Sequence, residues 1–213
     1  MTSRTLLPLL LVAAALVVAA APPTLAGEIA LEGQVGYFDP AFKNSASAVF
    51  GSTGGTTFGG AARYTIGHGV FVSAGARSFS KDGERVFVST PTGPVSKLGF
   101  PLSMHITPIF FTVGYRLRDG SMLVPYVGIG GSINKYKETS TVAGAVYEDD
   151  ISKAGFHGVA GLEVGRGLLR FAGEVSYSTV PNAIGILGVS SVYSENNIGG
   201  FTAVGKLILA FHL

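Results

Sequence analysis

The chain has 213 residues, a formal net charge of +2 and no cysteine. Charged residues make up 13%, about half the usual share, and the mean hydropathy is +0.44. This excludes a basic nucleic-acid footprint and disulfide staples, and the length is that of one domain.

The N-terminus reads as an export signal. Arg4 supplies a positive start, Leu6 to Ala21 is almost all Leu, Val and Ala, and Thr24-Leu25-Ala26 offers small residues before a cut. Cleavage after Ala26 is expected, leaving residues 27–213 as one domain. The apolar run is shorter than the roughly 20 residues a membrane helix needs, and no later stretch is continuously apolar over ~18 residues. An exported, apolar chain with no membrane helix points to a closed barrel, which also pairs every backbone group inside lipid.

Period-2 alternation then runs from residue 28 to the last residue. The first strand spans about 28–38, with Ile29, Leu31, Val35 and Tyr37 opposite Glu32 and Gln34. The second spans 56–66, with Phe58, Ala62, Tyr64 and Ile66 opposite Thr57, Arg63 and Thr65. The third, 70–80, sets Val70, Val72 and Ala74 against Ser73 and Arg77. The fourth, 102–117, sets Ile109, Phe111, Val113 and Tyr115 against Thr112, Gly114 and Arg116. The fifth, 123–136, sets Val127, Ile129 and Ile133 against glycines, Ser132 and Asn134. The sixth, 153–165, sets Phe156, Ala160, Leu162 and Val164 against His157, Gly161 and Glu163. In the seventh, 169–177, Leu169, Phe171, Val175 and Tyr177 oppose Arg170, Ala172, Glu174 and Ser176. The eighth, 198–213, sets Phe201, Leu207, Leu209, Phe211 and Leu213 against Thr202, Lys206 and His212.

Connections at 39–55, 81–101, 137–152 and 179–197 are long. Gly67-His68-Gly69, Arg118 to Ser121 and Arg166-Gly167 are short, with the Gly and Asp that tight turns need. Strict long–short alternation predicts an all-β fold: an eight-stranded antiparallel up-and-down transmembrane β-barrel with both termini in the periplasm. The last long connection is unusually apolar, with Val180, Ile184, Ile186, Leu187, Val189 and Val192. Either strands seven and eight extend above the membrane, which is the favoured reading, or the segment folds over the mouth and lines an apolar pocket.

A secreted soluble barrel has the same period with its faces reversed. Three features decide for the membrane. The polar face carries few charges: Glu32, Arg63, Arg77, Arg116, Glu163, Arg170, Glu174 and Lys206, with Lys153 as a ninth. The rest of that face is Gly, Ala, Ser and Thr, which suit a narrow interior. Tyr37, Tyr64, Tyr115, Tyr177, Phe201 and Phe211 lie on the apolar face, several near strand ends, as an aromatic girdle does. The eight charges are expected to pair in the lumen, as a plug or as a gate with alternative pairings, because unpaired buried charge is expensive.

The run from Pro101 to Lys137, above all Pro125-Tyr126-Val127-Gly128-Ile129-Gly130-Gly131, resembles the central hairpin of small outer-membrane barrels of the OmpW and OmpA-like class. Ile198-Gly199-Gly200-Phe201 onward resembles their last strand. That strand is read by the barrel-assembly machinery. The family usually closes on an aromatic residue; here Phe211 precedes His212 and Leu213. The OmpW resemblance implies a narrow barrel passing small apolar molecules, and the OmpA-like resemblance a structural or surface-contact role.

Catalytic chemistry has little support. His105, His157, Ser103, Ser152, Glu148, Asp149 and Asp150 cluster near the expected outer rim in sequence, but rim and loop residues account for them. The four histidines are scattered, so no metal site and no cofactor is expected. Gly51 to Gly55 lacks the Lys of a phosphate loop. The expected protein is a non-enzymatic outer-membrane barrel, structural or a narrow channel. Surface adhesion through long loops is the alternative, and a lipid A-modifying enzyme stands third. Its expected partners are membrane lipid and lipopolysaccharide, the assembly machinery and a small apolar ligand, not nucleic acid. Sequencing the mature N-terminus is expected to start at Gly27, with a mobility shift between boiled and unboiled samples. An intact Met1 would contradict the signal.

Overall fold

The computed structural model describes residues 27–117, 121–186 and 188–213. The expected signal, residues 1–26, lies outside them, as do turn residues 118–120 and Leu187. Eight strands run in order: β1 (Glu28–Pro40), β2 (Gly55–Thr65), β3 (Val70–Val88), β4 (Val95–Arg116), β5 (Leu123–Val142), β6 (Ala145–Val164), β7 (Leu169–Thr179) and β8 (Gly200–His212). Each pairs antiparallel with its sequence neighbours, and β8 pairs with β1, closing the barrel.

The closure has a definite stagger. Register leads from Glu28 to Thr65, Phe71, Gly114, Gly128, Val159, Ser176 and Thr202, and returns to β1 at Phe38, ten residues further along. An even stagger keeps every residue on its own face, since a one-residue slip would exchange inside and outside. It also tilts the strands into the roughly 35–45° range of closed barrels.

The apolar set faces outward. Leu31, Val35, Phe58, Phe111, Val127, Ile129, Phe156, Phe171 and Leu207 are exposed, as are Tyr37, Tyr115, Tyr177, Phe201 and Phe211. Tyr64 differs from the expected girdle. It has the outward parity of Phe58 but is buried, because its ring lies against Gly27, where a Cβ would come within 2.6 Å of Oη.

Two long connections prove to be mostly strand. Beyond Phe79 and Phe156, where pairing with β2 and β7 ends, β3–β4 and β5–β6 continue as a four-stranded sheet. Val88 lies nine residues past Phe79, a rise of roughly 20 Å at that tilt. The β5–β6 hairpin closes on Ala143 (φ 51°) and Gly144 (φ 84°), the doubly positive pair of a type I′ turn. The alternation rule stopped at expected loop boundaries because polar residues on both faces hide a solvated strand.

The other two connections fold inward. The first forms helix α1 (Lys43–Phe50), which crosses β3 so closely that a Cβ on Gly83 would lie 2.4 Å from Val49 O. The fourth contains a short helix, α2 (Gly188–Val192), and buries Val180, Ala183 and Ile198. The favoured extension of β7 and β8 is therefore corrected: they end at Thr179 and start at Gly200, and the segment covers the mouth. Ile186 stays exposed. These apolar side chains are buried against Phe42 and Ala46 of the first connection, which removes them from water at the open mouth.

Val175→Arg on the outer wall should cost about 2–4 kcal/mol in lipid-vesicle unfolding. Val146→Arg at the hairpin tip should stay within about 0.5 kcal/mol of the parent, as solvated surface changes do. Equal costs would mean the wall does not face lipid.

Candidate functional site

The lumen is filled in layers. The lower layer, at the short-turn end, centres on Glu163, which is 0% exposed. Its carboxylate accepts from Arg63 Nη2 (2.8 Å), Arg116 Nη2 (2.8 Å) and Arg170 Nη1 (2.8 Å). Glu28 accepts from Arg116 (3.1 Å) and Arg170. Above it, Glu174 accepts from Arg77 Nη2 (2.7 Å), Tyr126 Oη (3.0 Å) and Lys206, and Lys206 also reaches Glu32 at 2.9 Å. Arg63 joins the layers, since its other nitrogen lies 3.2 Å from Glu32. Arg77 donates to Gln34 (2.7 Å) and Ser176 (3.3 Å) and stacks over Phe110 at 4.9 Å.

The structure brings all eight lumen charges named from sequence into one network and adds Glu28. Glu28 shares the parity of Glu32, but it is the first residue of β1, where alternation has no preceding residue to support it. Tyr126 was likewise readable by parity with Gly128 and Gly130. Its role as a donor was not, because the partner, Glu174, lies 48 positions away. Charged, multiply donated bonds of this kind offset the desolvation of each ion only because every carboxylate has several donors.

A cavity of about 70 Å³ lies above the ions. Thr112 Oγ1 and His157 Nε2 stand 2.9 Å apart on its wall, beside Ser132, Ser176 and Phe110. The volume holds a few waters. Over it sits an apolar cap: Phe38, Phe79, Met104, Ile106 and Tyr136 from the wall, with Phe42, Ala46, Val180, Ala183 and Ile198 from the two folded connections. Phe38 and Phe79 meet edge to face at 5.0 Å.

Besides this apolar packing and the bond from Ala41 N–H to Gly199 O (2.7 Å), one polar side chain ties the two cap segments together. Glu195 accepts from the backbone N–H of Asn44 and of Ser45, both at 2.9 Å, so its carboxylate caps α1 from the opposite loop. Phe42, at the helix's own N-cap position, supplies no side-chain bond. Beyond the belt, burial pushes the Asp39 carboxyl up, but hydrogen bonds from Lys43 and Thr53 outweigh it and hold it below the usual range.

The residues weighed for catalysis do not converge. His157 lies in the lumen and His105 is exposed beyond the belt, between the lumen-lining Met104 and Ile106. Among the described residues no group of three His, Cys, Asp or Glu could hold a metal ion. At the short-turn end a recess of about 380 Å³ opens below Glu28, Arg116 and Arg170.

Residues 8–166 match the family model described as outer membrane protein beta-barrel domain. A search of curated proteins gives no match. The fold is similar to Neisserial surface protein A, with 10% identity, TM-score 0.51, and 87% of this chain and 97% of that one covered. It is also similar to a major outer membrane protein from Thermus thermophilus, with 12% identity, TM-score 0.59 and coverage of 88% and 99%. The Escherichia coli outer membrane protease OmpT aligns at 7% identity and TM-score 0.45, over 90% of this chain and 98% of that one. At such identities the likeness is one of fold.

Glu163→Gln removes the charge that three arginines share. It should cost about 3–5 kcal/mol in vesicle unfolding, the usual penalty for breaking a buried ion pair from one side. A stability equal to the parent would show that the lower layer is solvated.

Proposed function

We propose, on the premise that this chain belongs to the outer membrane protein β-barrel domain family, that it is a closed barrel that works by contact at its extracellular face. One observation carries this reading: the lumen is blocked twice. The ion layers fill its periplasmic half, and the apolar cap fills the extracellular mouth. Passage through it would require moving both.

The outer face offers a surface instead. The β3–β6 sheet stands above the closed wall and exposes Phe87, Val95, Leu98, Val146 and Tyr147 near its tips. Apolar side chains held in water on a hydrogen-bonded sheet suit macromolecular contact. The short turns and both chain ends take the periplasmic side. Phe211 remains exposed on β8, where assembly machinery can read it.

A second reading keeps the narrow channel for small apolar molecules, because the cap and the cavity beneath it are lined by Phe38, Phe79, Ile106, Phe110 and Ile198. In that case Glu195 holds the entrance shut. Glu195→Ala would then raise uptake of a small apolar dye by cells.

Planar-bilayer recording of the purified chain should show no steady conductance steps, whereas steps of a water-filled pore would overturn the closed barrel. Cells carrying the parent should adhere to a matrix-coated surface, and shortening both hairpin tips should abolish this while heat-modifiable mobility is kept. Adhesion unaffected by tip removal would overturn the contact role.

A further inference from the structure

The four-stranded sheet above the wall has two open edges, and they differ. β3 runs along one and β6 along the other, because pairing with β2 ends at Phe79 and pairing with β7 ends at Phe156. The β3 edge carries devices that stop another strand from adding to it. Its register shifts between Glu84 and Val86, and α1 crosses it at Gly83. The β6 edge carries neither. Its ladder to β5 runs from Val164 to Ala145 without a shift, no proline interrupts it, and no described strand pairs with its other side above Phe156.

The turn settles which backbone groups this edge presents. A two-residue turn at Ala143-Gly144 makes Val142 and Ala145 a hydrogen-bonded pair, so Tyr147, Asp149, Ile151 and Lys153 also exchange bonds with β5. The bond from Leu117 N–H to Pro125 O sets the same alternation from the other side of β5. The N–H and C=O groups of Val146, Glu148, Asp150 and Ser152 therefore point away from the sheet, along roughly 20 Å of strand. Glu148, Asp149 and Asp150 are exposed along it. Glu148 is bonded to Lys137, whereas Asp149 and Asp150 form no ion pair among the described residues.

We propose that this edge takes up an extended, basic segment of another protein as an added antiparallel strand, with lysine or arginine opposite Asp149 and Asp150. Main-chain bonds supply the affinity, and the two carboxylates select the partner. Parity puts Asp150 on the outer face of the sheet and Asp149 on the inner one, so two adjacent basic residues of the segment meet one each. A second copy of this chain is the wrong occupant. Copies in one membrane stand the same way up, so their β6 edges would run parallel and set Asp149 and Asp150 against their own kind. The β3 edge of a copy is crossed by α1. Acidic residues also guard an open edge against aggregation. That guard turns away neutral and acidic strands and admits basic ones. The site gives the contact role its partner and rests on that reading.

The test uses the mature chain in neutral phosphatidylcholine nanodiscs and a threonine-rich peptide of about ten residues with two adjacent lysines at its centre. Amide exchange is followed by NMR. In the free chain the amides of Val146, Glu148, Asp150 and Ser152 should exchange fast and those of Tyr147, Asp149 and Ile151 slowly. The peptide should slow the first set. Asp149→Asn combined with Asp150→Asn should weaken its binding roughly fivefold. Ser152→Pro, which removes one edge donor without touching the β5 ladder, should weaken it by a similar factor. Heat-modifiable mobility checks that each variant is folded. Unchanged exchange at the edge, equal binding of a peptide with glutamates in place of the lysines, or undiminished binding by both alternately N-methylated forms of the lysine peptide would overturn the site. Edge amides already protected in the free chain, and more so with two copies per nanodisc, would overturn it in favour of a second copy. Cells whose adhesion is lost with the hairpin tips, while the peptide leaves the edge unprotected, would sink the added strand and keep the contact role.

Discussion

Backbone hydrogen bonding inside lipid is the constraint from which the rest follows. No water is there to pair an exposed N–H or C=O, so the sheet must close on itself. Closure of eight strands with a ten-residue stagger fixes both tilt and radius. The radius leaves an interior that side chains fill. Gly, Ser and Thr along the inner face are therefore a requirement of volume, and the few large inner residues have to be arranged in layers.

The layers obey opposite rules. Low in the barrel, charge is tolerated because each carboxylate is shared: three arginines meet at Glu163, and Arg77, Lys206 and Tyr126 meet at Glu174. Such networks confer a single arrangement as much as stability. High in the barrel the same inner parity carries Phe38, Phe79, Met104 and Ile106, and two folded connections complete the apolar cluster. Glu195 joins those connections through backbone N–H groups alone, so the contact does not depend on which side chains α1 carries there. The inner face thus changes from ionic to apolar along one strand set, with the small cavity at the boundary.

The outer face changes in the opposite sense. Its belt is apolar and aromatic, and at the rim it gives way to Lys135, Lys137, His105 and hydroxyls. Beyond the rim β3–β6 no longer need lipid, yet their ladder continues. A hairpin closed by Ala143-Gly144 lets the paired strands project beyond the wall. Wall, lumen and projecting sheet are three environments served by the same strands.

Alternation determined the strands of the wall and separated its two faces: Val175 against Ser176, or Phe211 against His212, is enough, because the period of 2 is local. That the apolar face is the outer one followed from the few charges and small residues of the polar face and from the aromatic residues of the apolar one. The same parity named Arg63, Arg77, Glu163 and Glu174 as lumen residues. Which of them meet was decided by the tertiary structure, since Arg63 and Glu163 are a hundred positions apart and only register around a closed ring places them together. The hairpins beyond the belt were hidden for a related reason: in water neither face has to be apolar, so Glu84 or Asp149 carries no trace of the strand it lies in. The apolar connection after Thr179 was equally ambiguous. Its hydrophobicity required burial somewhere, and only the mouth of the folded barrel, already lined by Phe79 and Ile106, determined where.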